Sequence, residues 1–431
     1  MTRHLLKDLS EMIRKDVIST EAAEKIKEFY REKQPEARNQ LFIIFGILGA
    51  ILVGLGLVLI IAHNWEGMSR GLKTVWALLP MLLGQALCLY VLIKRSDSAA
   101  WREGSTAFLF FAVGACISLV GQIYNFPGTL AYYMMTWMLL VFPLMYVIRA
   151  SIGSMLFIIG VSYYGLVSNF GYLPDRGPDY WYWAMLALAV PYYFMLHKKS
   201  PSGSFMIFHH WLLAISASIM LGPLMWGSEN GWVLLFPLYA VLFGWYYQIG
   251  HTPFAKGPNG YLILGSMGGI TVTMIGTFRG FWSAIYEQSA GAFSSVTGIL
   301  SLSILIMAAV GTLIWRYQRE KTLAFDPINF LFIVYLLIYL LGLTAGSISA
   351  TILCNILVGA LGILTIREGA KTEHLGILNY GLLILSVLIV CRFFDLNISF
   401  VIRGLMFILI GIGFFAANYF MMNRKGPRAG K

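Results

Sequence analysis

The sequence predicts an all-α, polytopic integral membrane protein of about fourteen transmembrane helices, preceded by a small N-terminal amphipathic helical hairpin. Three observations carry this. Apolar residues make up 58% of the 431 positions and charged residues only 12%, against roughly 45–50% and about 25% in a soluble domain. One globule could not cover that apolar excess with polar surface, so much of it must face lipid. From residue 41 onward, apolar runs of about 16 to 24 residues recur, close to the ~20 needed to cross the hydrocarbon core. Finally, the basic residues that give the net charge of +11 sit in short clusters between those runs, as in loops facing an anionic leaflet. This pattern excludes a cytosolic enzyme, a nucleic-acid-binding domain and a disulfide-stapled secreted module.

Residues 1–40 form the hairpin. They hold nine basic and eight acidic residues, with no pattern of a signal peptide. Leu5, Leu9, Met12 and Ile13 make one apolar stripe, and Ala22, Ala23, Ile26, Phe29 and Tyr30 make another at helical spacing. Ser19 is placed to cap the second helix, with Glu21 in its first turn and Ile18 able to staple onto Ala23.

The membrane bundle occupies 41–421, with spans expected at 41–63, 73–93, 104–124, 128–148, 152–170, 179–197, 205–226, 231–248, 260–281, 294–315, 327–346, 348–366, 375–391 and 398–421. The close pairs within 128–170 and 327–366 are where a re-entrant hairpin would be hidden. A basic tail, 422–431, follows. With the N-terminus inside, 25 of the 31 Lys and Arg residues fall on the cytoplasmic side. Only Arg70, Lys73, Arg176, Arg279, Arg392 and Arg403 fall outside, so both termini are expected to be cytoplasmic in a multi-pass inner-membrane protein.

Ionisable residues inside the spans are scarce. Every acidic residue after the hairpin maps to a loop or a span end, which disfavours a cation-coupled mechanism built on a midplane carboxylate. There is no HExxH and no phosphate-binding loop. No catalytic residue, cofactor or metal site is expected, and the chain does not read as an enzyme. Cys88, Cys116, Cys354 and Cys391 read as buried, inert thiols. His209 and His210 point about 100° apart on one helix and suit interhelical hydrogen bonding better than a metal. Gly46, Ala50 and Gly54, and Gly265 with Gly269, form small-residue ridges expected at close helix crossings.

Three polar clusters stand out: Ala62-His63-Asn64-Trp65-Glu66, Gly121-Gln122-Ile123-Tyr124-Asn125, and Arg392-Phe393-Phe394-Asp395 with Ser399 and Arg403. Each alone could be an interfacial anchor. All three fall on the outer face, so His63, Asn64, Trp65, Gln122, Tyr124, Asn125, Arg392, Asp395 and Arg403 form a candidate extracytoplasmic pocket. Arg403 lies several residues into its helix and requires a partner such as Asp395.

The hairpin motif Val17-Ile18-Ser19-Thr20-Glu21-Ala22-Ala23, together with those three clusters, resembles the prokaryotic membrane proteins grouped as domain of unknown function 2157 (DUF2157). The resemblance implies a bacterial polytopic inner-membrane protein and brings no activity, substrate or catalytic residue. The leading expectation for function is transport or handling of a lipid or small molecule through a site open to the extracytoplasmic face. The alternative is a non-catalytic scaffold that recruits a protein partner through the hairpin; an intramembrane enzyme comes third. Membrane lipid is the expected partner and nucleic acid is not.

Overall fold

A computed structural model describes most of residues 12–32, scattered helical positions between 45 and 59, and then 67–170, 179–225, 230–255, 259–289, 295–320 and 326–395, with further scattered positions between 401 and 415. The described residues are overwhelmingly helical. Helix α1 (Thr20–Glu32) begins as the sequence indicates, with Ser19 Oγ accepting the Ala22 N–H at 3.2 Å, and Ala23 is buried.

The chain divides into two compact units, Met1–Val161 and Ser162–Lys431. In the first lie α2 (Arg70–Lys94), α3 (Ala99–Tyr124), α4 (Leu130–Val147) and the start of α5 (Ser151–Phe170). Ser69 and Thr129 cap α2 and α4 by accepting the N–H groups of Leu72 and Tyr132. Small residues bring these helices together. Gly84 faces the backbone of Leu109, and Gly114 receives the ring of Trp137, whose indole N–H donates to Phe110 O at 2.9 Å.

The second unit continues with α6 (Trp181–Lys199), α7 (Ser204–Leu221), α8 (Leu235–Gly250), α9 (Gly260–Ile275), α10 (Arg279–Gln288), α11 (Val296–Glu320), α12 (Leu331–Ala345), α13 (Ser347–Lys371) and α14 (Leu375–Asp395). Its core is α8, buried against α7, α9, α11 and α12 through Leu238, Val241, Leu242, Tyr246 and Phe332. Gly265 of α9 lies so close to α8 that a Cβ would stand 2.4 Å from Tyr247 N. That ridge is a close crossing, as expected. Around Gly46, no described atom lies within 4 Å of where its Cβ would be, and Ala50 and Gly54 of that ridge lie outside the described residues.

Among the described residues, ten helices are long and apolar enough to cross a membrane, and eleven if one bent pair counts as a single span. The expected fourteen differ for identifiable reasons. The α6 helix is not among the ten, because Trp181-Tyr182-Trp183 and His197-Lys198-Lys199 dilute its apolar centre. The segments 41–63 and 398–421 fall mostly outside the described residues. The run 260–281 is broken into α9 and α10, which bend by 81°. Each suspected hairpin holds two helices long and apolar enough to cross a membrane. Both 128–170 and 327–366 form pairs of full-length candidate spans, the second joined at Gly346 with φ +96°, a conformation open to glycine at no steric cost. The chain is a multi-pass membrane protein.

Candidate functional site at a broken membrane helix

The break at Gly276-Thr277-Phe278 interrupts one apolar run and turns the chain from α9 into α10. A helix that ends inside a membrane domain leaves carbonyls that lipid cannot satisfy, so irregular backbone survives there only where protein or water supplies partners. Here protein supplies them. The N–H groups of Gly276, Thr277 and Phe278 turn back to the carbonyls of Val272, Met274 and Ile275 at 3.3, 3.0 and 3.2 Å. Gly276 O accepts the buried indole N–H of Trp282, and Thr277 O accepts Asn355 Nδ2 from α13 at 3.0 Å. Thr277 Oγ1 donates to Met274 O at 2.6 Å.

Arg392, near the C-terminal end of α14, completes the site. Its Nη2 donates to Thr277 Oγ1 at 3.1 Å, and its guanidinium lies 4.6 Å from the centroid of the Phe278 ring. The residue is half-buried. Position favours it twice, since a cation near a helix C-terminus meets the negative end of the dipole and a guanidinium over an aromatic face meets the ring quadrupole. Beneath the break, Trp282, Tyr335, Tyr339 and Cys354 form a buried cluster. Gly276 packs against it so tightly that a Cβ would lie 2.9 Å from Cys354 Sγ. The result is a guanidinium, a hydroxyl and an amide gathered at an unwound segment, next to the N-terminus of α10. Such a group can receive an anionic or hydrogen-bonding moiety.

Of the nine residues expected in the outer-face pocket, Arg392 is the one found at this break. His63, Asn64, Trp65 and Arg403 lie outside the described residues, and Asp395 is described only as the last residue of α14. Gln122, Tyr124 and Asn125 close α3 in the first unit. Tyr124 Oη lies 3.1 Å from Thr74 Oγ1, its ring stacks on Phe126, and Asn125 ends the helix at φ 50°. These three belong to one compact unit and Arg392 to the other, and each is described within its own unit. Thr277, Asn355 and Trp282 were missed by the sequence reading. Asn355, an amide in the middle of an apolar run, and the Gly-Thr step inside 260–281 were the available signals.

Two charged residues assigned to span ends or loops are buried. Glu103, in the second turn of α3, is only 3% exposed. Its two carboxylate oxygens accept the N–H groups of Ser151 and Ile152 at 2.9 and 2.7 Å, capping α5 from a neighbouring helix. Arg316, counted above as a cytoplasmic loop residue, lies within α11 and donates to Asn329 Oδ1 at 3.1 Å. Beside it, Tyr247 donates to Asp326, whose other oxygen accepts the Ile328 N–H. His209 and His210 are both fully buried and face different neighbours, as their spacing requires. Nδ1 of His209 lies 2.7 Å from Phe205 O and its ring meets Tyr192 of α6, while His210 meets the rings of Tyr193 and Tyr261. Among the described residues no three His, Cys, Asp or Glu side chains are grouped to hold a metal ion.

No curated protein and no solved structure matches the chain. A family model does: residues 11–153, about a third of the chain, match the family described as predicted membrane protein (DUF2157), the family that the sequence motifs resemble.

Proposed function

We propose that the protein transports or handles a small molecule or lipid headgroup at the break between α9 and α10, through a site open to the extracytoplasmic face. The observation that supports this reading is the unwound Gly276-Thr277-Phe278 segment with Arg392 drawn onto Thr277. Transporters commonly place discontinuous helices at their binding sites, because backbone groups freed from helix bonding, half-helix ends and a few polar side chains then face one cavity. The polar groups here favour an anionic or hydrogen-bonding substrate group. The outward orientation rests on the distribution of basic loops.

The test is access. In a chain whose four native cysteines are replaced, a cysteine at Asn355, half-buried at the break, is expected to react with a membrane-impermeant maleimide added outside intact cells. A cysteine at Thr277, which is fully buried, is expected to react more slowly. Absence of reaction at both, with the folded protein in the membrane, would mean that the break is sealed and serves packing alone. The scaffold reading, through the N-terminal hairpin, would then lead. Cysteines at Ser202 and Gly177 check the orientation in the same assay and are expected to label from opposite sides.

A further inference from the structure

A groove of about 450 Å³ opens in the first unit, lined by Gly46, Gly49 and Val53 of the first apolar segment, Leu87 of α2, and Trp101 and Gly104 among the α3 residues that complete it. Its size falls in the range of small-molecule sites, roughly 300–1,000 Å³. Its lining is largely apolar. Among the described residues, a Cβ on Gly46, Gly49 or Gly104 would meet nothing within 4 Å, so these positions leave room in the groove.

One end of the groove is marked chemically. Tyr90 and Trp101 meet edge to face at 6.1 Å, a pairing suited to the membrane–water interface. Lys94 lies seven residues beyond Leu87, so two helical turns bring it to the same side of α2 above the groove. Lys94 and Arg95 are exposed, and Arg102 braces the turn by donating to Ser96 O at 2.6 Å. Asp97 offsets one of these charges, while the Glu103 carboxylate faces the start of α5. The turn is therefore net basic directly beyond an apolar slot.

We propose that this groove binds an acyl chain of an anionic glycerophospholipid drawn from the surrounding bilayer, with the lipid phosphate held at the α2–α3 turn by Lys94 and Arg95. The charge pattern selects this occupant. A basic rim attracts an anionic headgroup, whereas a second copy docked across a two-fold axis would bring an identical basic turn to the same interface. The inference is independent of the transport reading, which rests on a different unit of the chain.

Native mass spectrometry of the full-length protein, delipidated in mild detergent and titrated with phosphatidylglycerol or phosphatidylcholine, tests it. The wild type is expected to hold one phosphatidylglycerol, about tenfold more tightly than phosphatidylcholine. Gly104→Leu and Gly49→Leu fill the slot from opposite walls at positions where an added Cβ meets no described atom, and either is expected to weaken retention by about tenfold or more. Lys94→Glu with Arg95→Glu is expected to erase the preference between the two lipids while leaving the acyl slot intact. The proposal is overturned by equal binding of both lipids to the wild type, or by wild-type retention in whichever leucine variant folds. A dimer dissolved by those same leucines would equally overturn it, since the occupant would then be a second copy.

Discussion

Glu103 in the first unit and Arg392 in the second each bring a charged side chain to a helix end that its own helix does not cap, but they do so in opposite ways. Glu103 closes its site. Both carboxylate oxygens are spent on the first two N–H groups of α5, at the positive end of that helix, and almost nothing of the side chain reaches the surface. Arg392 leaves its site half open. The carbonyls at the end of α9 are already held by Trp282, Asn355 and the turn itself; the guanidinium bonds Thr277 Oγ1 and rests on Phe278 in addition. A charge that does the capping is structural; under the proposed transport reading, a charge brought to a site already capped is the one that meets the substrate group.

The largest expected effect tests the closed side of that comparison. Glu103→Ala strands a buried N–H of Ser151 and a part-buried one of Ile152, and removes an anion from a helix N-terminus. It is expected to destabilise the protein by about 3 kcal/mol, from charge-assisted hydrogen bonds and the helix dipole together. Thermal unfolding of the detergent-solubilised protein would show this. Glu103→Gln retains one acceptor and turns its NH2 toward the other N–H, so it should fall between. A Glu103→Ala variant as stable as the wild type would mean that water reaches the start of α5 and that the site is not closed.

The sequence carried some of this and hid the rest for definable reasons. The Ser19 cap and the apolar runs are local, and they were legible because caps and hydropathy depend on residues a few positions apart. The break between α9 and α10 left no mark on hydropathy, since an 81° bend whose carbonyls are capped internally needs no polar run. Arg392 was legible as a charge at a span end, but Thr277, its partner, lies 115 residues away. Glu103 and Arg316 read as loop charges because burial at a helix end depends on which neighbouring helix covers it. Gly46 read as a packing ridge because small residues mark a crossing and an empty slot alike.

The next effect concerns the tightness of the break. Gly276→Ala drives a methyl group to 2.9 Å from Cys354 Sγ and is expected to cost about 1–3 kcal/mol by overpacking. Cys354→Ala in the same chain should recover part of that loss, and a double-mutant cycle by thermal unfolding would read the coupling directly. Strict additivity would show that the strain lies elsewhere in the turn. Trp282→Phe, which leaves Gly276 O without its indole donor, is expected to cost about 1–3 kcal/mol for an unsatisfied buried acceptor.

The smallest effect is the one that separates capping from binding most sharply. Arg392→Leu removes the hydrogen bond to Thr277 and the contact with the Phe278 face, and should lower stability by about 1–2 kcal/mol. Arg279→Leu, at the exposed first position of α10, is expected to stay within about 0.5 kcal/mol of wild type. If the break is a binding site, the two variants should diverge far more in what they do than in how stable they are. A cysteine at Thr277 should change its reaction rate with a negatively charged maleimide when Arg392 is lost, because the local cation that attracts the reagent is gone, and a neutral maleimide should respond less. Arg279→Leu should leave the ratio of the two rates nearly unchanged. Equal shifts in that ratio for both variants would place Arg392 beside Arg279 as a diffuse surface charge, and the distinction between a closed and an open helix end would lose its functional meaning.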